Sequence, residues 1–187
     1  MQDRFDRDDF KRQLTNLKPI RIDQFNVLDT YYVLKGQSGF VYRHRFDREI
    51  DQLTVKSVEK NSTIRQEINL NLIHSAGSQT EGIKAFLSTF GVEWSQCLKK
   101  DVLVAYYSDC EIVHYIATCE NRTVHCVEFE AVGYSDVNAA LQILSKYETK
   151  LGFDQSNPEE KSLFELLLIP TAPSHVVEMF RKVLKTK

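Results

Sequence analysis

The sequence predicts an α+β fold in which helices pack outside or beneath a largely antiparallel sheet. Three observations lead there. Stretches of β-branched, aromatic or alternating residues recur in two groups, 20–72 and 100–131, and within each group polar turns of hairpin length separate them. Amphipathic segments lie between the two groups and after the second. No internal repeat, low-complexity tract or Pro/Gly-rich linker divides the 187 residues, which predicts one domain over 1–187.

Asp8 or Asp9 starts a short helix with Phe10, Leu14 and Leu17 on one face, and Pro19 ends it. A strand follows from Ile20 to Val33, then a turn at Lys35-Gly36-Gln37-Ser38-Gly39 and a return strand from Phe40 to Phe46. Strands at Leu53 to Val58 and Thr63 to Leu72, joined by Glu59-Lys60-Asn61-Ser62, complete a meander. Residues 79–90 read as a helix with Ile83, Phe86, Leu87 and Phe90 on one side and Gly91 beyond its end. A second meander comprises Lys100 to Tyr107, Glu111 to Thr118 and Thr123 to Ala131. Ser135 caps a helix that runs to Leu151, with Val137, Ala140, Leu141, Leu144 and Tyr147 as its apolar stripe and Gly152 at its C-terminal turn. Asn157-Pro158 is a further helix start, and a last helix begins near Ser174 and buries Val176, Val177, Phe180, Val183 and Leu184.

Lys and Arg number 24 against 26 Asp and Glu, so a net charge of -2 gives no global field for nucleic acid or an anionic membrane, and any anion site must be local. The four cysteines, Cys97, Cys110, Cys119 and Cys126, lack the close paired spacing of a zinc site. Unpaired thiols in a reducing, cytoplasmic setting are expected, with a Cys119 to Cys126 bridge as the alternative. No apolar run approaches the ~20 residues that span a bilayer, so no membrane association is expected. A homodimer stays open.

The alternation of the first meander carries the chemistry. Residues two apart on a strand share a face. Arg43 and Arg45 therefore point together, as do Thr54 with Lys56, and Thr63, Arg65, Glu67 and Asn69, while Ile64, Ile68 and Leu70 face the other way. A solvated outer face is the ordinary fate of such charges. Against it stands the recurrence of four cations on three successive strands, which would repel one another unless an anion sat among them. Guanidinium groups grip phosphate oxygens in two-point fashion. On a later strand Glu128 and Glu130 share a face, and paired carboxylates can hold Mg2+ or Mn2+.

At these residues the chain resembles the CYTH superfamily, the triphosphate tunnel metalloenzymes, which includes class IV adenylyl cyclases, thiamine triphosphatases and inorganic triphosphatases. Asp29-Thr30-Tyr31-Tyr32 looks like its D-x-Y strand, Arg43-His44-Arg45 like R-x-R, Leu53-Thr54-Val55-Lys56 like L-T-x-K and Arg65-Gln66-Glu67 like R-x-E. Lys99 or Lys100 lies where the family has a basic strand start, and Val127-Glu128-Phe129-Glu130 looks like its later E-x-E strand. Leu151-Gly152-Phe153 and Lys161-Ser162-Leu163-Phe164 resemble its closing elements, so the likeness spans roughly residues 4–168. The resemblance implies an antiparallel β-tunnel of about eight strands with helices outside and at the C-terminus. Arg4, Arg43, Arg45, Lys56, Arg65 and Lys99 would hold a small-molecule triphosphate, and Glu67, Glu128 and Glu130 would hold Mg2+ or Mn2+ and carry catalysis.

The chain also departs from the pattern. The family's first strand reads E-x-E-x-K, whereas this chain opens Met1-Gln2-Asp3-Arg4-Phe5: Arg4 stands for the lysine, Gln2 for one glutamate, and the other would lie before Met1. Asn69 replaces a second Glu after Glu67, and Asp101 sits where an arginine is expected. Metal affinity should fall, since an amide offers oxygen without charge. Two functions are therefore expected: a metal-dependent triphosphatase, with nucleotide cyclisation as a variant, or a binding domain that kept the basic cradle without catalysis.

Overall fold

The computed structural model describes residues 6–37, 39–57, 67–153, 159 and 161–184, with side chains as far as Arg181. Elements follow in the order α1 (Arg7–Asn16), β1 (Arg21–Leu34), β2 (Phe40–Phe46), β3 (Asp51–Ser57), β4 (Glu67–Asn71), α2 (Thr80–Ser88), β5 (Val92–Tyr106), β6 (Cys110–Cys119), β7 (Arg122–Ala131), α3 (Val137–Leu151) and α4 (Ser174–Leu184). Among the described residues the strands form one seven-stranded antiparallel sheet in the order β4-β3-β2-β1-β5-β6-β7, so the two meanders join through their first strands. The expected opening strand at 1–5, the turn at Glu59-Lys60-Asn61-Ser62, the first residues of the strand from Thr63 and the helix start at Asn157-Pro158 lie outside the described residues. The chain divides into two compact units, one of residues 1–25, 101–116 and 125–160, the other of 26–100, 117–124 and 161–187.

In the first unit, α1 begins because the Asp6 carboxylate accepts the backbone N–H groups of Asp8 and Asp9 at 2.9 and 3.0 Å. The cap is thus Asp6, and Asp8 and Asp9 are first-turn acids that the helix dipole favours. Phe10 and Leu14 pack on Leu103 and Ala105 of β5, Cys110 and Ile112 of β6, and Tyr147 of α3, with Val127 and Phe129 of β7 at the margin. The Tyr107 hydroxyl donates to the Leu14 carbonyl at 2.9 Å, satisfying an acceptor that the end of α1 leaves open. Asp136, not Ser135, caps α3 by accepting the Ala139 N–H at 2.8 Å, and Gly152 at φ 73° turns the chain out of it. Val137 and Leu141 of the expected stripe are exposed, so α3 buries its face only from Ile143 onward.

In the second unit, Ile83 and Leu87 of α2 pack over Tyr32, Leu34 and Leu53. Phe86 and Phe90 point outward and meet edge to face at 5.2 Å, which corrects their placement beside Ile83 and Leu87. The helix ends at Ser88, so Phe90 sits in the following turn and no longer obeys helical spacing. A π-helical turn, Phe164–Leu168, and α4 bury Phe164, Leu167, Leu168, Val176 and Phe180. All four cysteines are free thiols. No helix among the described residues is long and apolar enough to cross a membrane.

His114 of β6 is fully buried, 6.0 Å from the rings of both Phe10 and His125. Burial, with the positive charge of Arg7 and the His125 ring, pushes its pKa down to about 4, against the opposing pull of Asp101. The folded chain thus keeps it neutral where the unfolded chain takes up a proton, so the stability it allows above pH ~6.5 is lost as pH falls toward ~4. Urea unfolding of His114→Gln across this window should show a pH slope shallower by up to roughly 1.4 kcal/mol per pH unit. Equal slopes in variant and parent would contradict this origin.

Candidate functional site

Strand register assembles the polar face of the second unit row by row. Asp29 of β1 lies opposite Arg45 of β2, which lies opposite Gln52 of β3 and then Asn71 of β4. Tyr31, Arg43, Thr54 and Asn69 form the next row, and Val41, Lys56 and Glu67 the third. Because pleated strands send alternate residues to opposite sides, these side chains share one face, while Tyr42, His44, Leu53, Val55 and Ile68 take the other. The shared face is closed from water over much of its extent: Asp29 and Thr54 are 0% exposed, and Arg43 and Lys100 are 7% exposed. That rules out the solvated face for these residues.

Asp29 anchors the face. Arg45 grips its carboxylate with two parallel bonds, Nε to Oδ1 at 2.8 Å and Nη2 to Oδ2 at 3.0 Å, and Lys100 Nζ of β5 donates to Oδ2 at 2.9 Å. Burial alone would raise the Asp29 pKa, but the charges of Lys100 and Arg45 outweigh it and hold the carboxyl far below the usual range. Burial lowers the Lys100 pKa, and Asp29 offsets only part of that.

Arg43 is different. Its Nη2 donates to the Thr54 hydroxyl at 3.1 Å, and Thr54 donates onward to Asn69 Oδ1 at 2.8 Å. Among the described residues no carboxylate pairs with Arg43, and its buried Nε has no hydrogen-bond partner. Lys56 pairs with Glu67 across β3 and β4. Even so, burial and the neighbouring charge of Arg43 push the Lys56 pKa down to about 8. Among the described residues this face carries the cations Arg43, Arg45, Lys56 and Lys100, with the carboxylates Asp29 and Glu67 paired to them. This surplus of positive charge in a low-dielectric setting, with a donor unsatisfied, suits an oxyanion.

The structure thus brings together Arg43, Arg45, Lys56 and Glu67 of the expected set. Arg4 and Arg65 lie outside the described residues. Lys99 is exposed, and its neighbour Lys100 is the side chain that joins Asp29. β5 begins at Val92, eight residues before the expected strand, and in that longer strand Leu98, Lys100 and Val102 alternate as buried positions. Asp101 is held by Arg7 of α1, whose Nη2 donates to it at 3.1 Å. Glu128 and Glu130 belong to the first unit, on the exposed side of β7, where the Tyr115 hydroxyl donates to Glu128.

No group of three or more His, Cys, Asp or Glu side chains placed to hold a metal occurs among the described residues. Asn69, in the position of a second acid, has its carbonyl oxygen taken by Thr54. Sequence reasoning passed over Asp29 and Tyr31 as site residues. The signal was there: Asp29 is an acid inside a run of apolar, aromatic and β-branched residues, where a charge survives burial only when paired.

Known structures share the fold over most of the chain. The PH1012 protein of Pyrococcus horikoshii OT3 superposes with a TM-score of 0.67 at 18% identity, over 88% of this chain and 95% of that one. A Vibrio parahaemolyticus protein provisionally named an adenylate cyclase superposes with a TM-score of 0.65 at 18% identity, over 86% of this chain and 91% of its own. This chain has their fold. A Bacillus halodurans protein of the same provisional name agrees, with a TM-score of 0.59 at 15% identity, over 86% of this chain and 92% of that one. The likeness is consistent with the CYTH-like fold that the motif order implies. Neither a protein-family model nor a curated protein matches the sequence.

Because Asp29 neutralises the buried Lys100 and the half-buried Arg45 at once, Asp29→Ala should cost about 3–5 kcal/mol, the scale for breaking a buried ion pair. Guanidinium denaturation measures this. A loss below roughly 1 kcal/mol, the scale of an exposed pair, would show that the network is not what holds β1, β2 and β5 together.

Proposed function

We propose that this chain binds a triphosphate-containing compound, inorganic or nucleoside or thiamine triphosphate, on the face built by β1, β2, β3 and β5. The observation that carries the reading is Arg43: a guanidinium 7% exposed, with an unpartnered Nε and hydrogen bonds to the neutral hydroxyls of Thr54 and Tyr31, beside three further cations. A folded chain tolerates such an arrangement at a binding site, where the ligand completes the hydrogen bonds. The CYTH-like fold adds support, because the structures that share it include two provisionally named adenylate cyclases.

Binding is favoured over hydrolysis or cyclisation. Of the acids expected to hold a metal, Glu67 is engaged by Lys56 and Glu128 by Tyr115, and Asn69 brings no charge. The basic side of the site is thus better supported than the acidic side.

Inorganic tripolyphosphate at about 100 times its Kd should stabilise the chain by roughly 2.7 kcal/mol and raise Tm by several degrees. Arg43→Ala combined with Lys56→Ala should abolish the rise. No shift in the parent, or the same shift in the double variant, would refute the reading. Phosphate release with Mg2+ and with Mn2+ should stay at background, and turnover would instead support the triphosphatase.

A further inference from the structure

Asp29 and Glu67, the paired acids described on the basic face, are built differently. Asp29 is 0% exposed and takes three hydrogen bonds from two cations, so moving it would strand buried charge. Glu67 sits on β4, an outer member of the described sheet, with its side chain 35% exposed and Lys56 as its partner across the strand pair. Water can solvate its carboxylate if it swings away, so releasing it costs little. Burial works to raise the Glu67 pKa, but the hydrogen bond and charge of Lys56, with Arg43 and Arg45 beyond, hold it below the ordinary range, so it stays ionised near neutrality. Lys56, by contrast, lies opposite Val41 on β2, one row along the same face from Arg43, and the Arg43 charge together with burial holds its pKa below the usual lysine range even with Glu67 attached.

We infer that Glu67 is a displaceable internal counter-anion: it occupies Lys56 while the site is empty, and an incoming phosphoryl group expels it to bridge Lys56 and Arg43. The inference rests on the anion-site reading and assigns Glu67 a role opposite to that of a metal ligand. Exchange is one oxyanion for another at the Lys56 ammonium, with no bond made or broken. Glu67 lowers the affinity of the site by competition, so that a ligand must offer a denser charge than a carboxylate to hold Lys56. Asp29 does not compete, since its oxygens are fixed on Arg45 and Lys100.

The test is calorimetric titration of the full chain with inorganic tripolyphosphate, in EDTA and again with Mg2+. Glu67→Gln keeps the shape of the side chain and removes its charge; Glu67→Ala removes both, at an exposed site that should fold in either case. In EDTA both should bind about tenfold more tightly than the parent, the scale of one charge-assisted hydrogen bond no longer contested. In a Lys56→Met background the gain should vanish, because the contested group is gone. Unchanged affinity in EDTA overturns the inference while leaving the anion site intact, and weakening confined to Mg2+ overturns it in favour of a metal ligand. Failure of the parent and both Glu67 variants to bind at all overturns the anion-site reading and the inference with it.

Discussion

Asp29 is the fixed charge on which the polar face of the second unit is arranged. A lone carboxylate at 0% exposure would be prohibitively costly, and the fold meets that cost by bringing Arg45 from β2 and Lys100 from β5 to it. The consequence extends beyond a single pair. Two cations held at fixed positions on neighbouring strands raise the potential felt by Arg43 and Lys56, whose side chains project from the same face. Arg43 is left with hydroxyl contact only, and its unsatisfied Nε marks the place where an oxyanion would complete the network. Stability and binding are thus linked: the ion network that ties β1 to β2 and β5 also sets the electrostatics of the site.

The opposite face of the same strands shows why the arrangement is stable in register. Tyr32, Leu34, Tyr42 and Leu53 pack beneath α2, and Ile83 and Leu87 close that layer. A slip of one residue would drive Arg43 and Arg45 into this apolar layer and expel Leu53, so the hydrophobic side fixes which side is basic. Phe164, which meets the Tyr31 ring, in turn packs edge to face on Phe180 of α4, which ties the C-terminal segment to the site strand.

Much of this was legible in the sequence where alternation was strict. The strand from Phe40 to Phe46 and the helix from Ser174 are found where composition and punctuation place them, and Lys56 faces Glu67 as period two requires. Legibility failed where several local signals compete. Val92 to Lys100 mixes Glu93, Ser95, Gln96 and Cys97 without clean alternation; pairing with central strand β1 extends β5 through it, and that shift selects Lys100 over Lys99. Asp6 and Asp136 cap helices next to residues equally able to cap, a choice made by backbone geometry that composition does not reveal. The role of Asp29 depends on two partners 16 and 71 positions away, contacts that only the sheet order creates.

The Arg43 guanidinium is buried, and its Nε has no hydrogen-bond partner. Its Nε–H resonance in a 15N-edited NMR spectrum reports on that atom directly, with Arg43→Lys supplying the assignment. On titration with inorganic tripolyphosphate this one signal should move markedly downfield and exchange more slowly with solvent, saturating with the ligand. A signal that stays unmoved and equally exchangeable while tripolyphosphate saturates the chain would contradict an oxyanion site at Arg43.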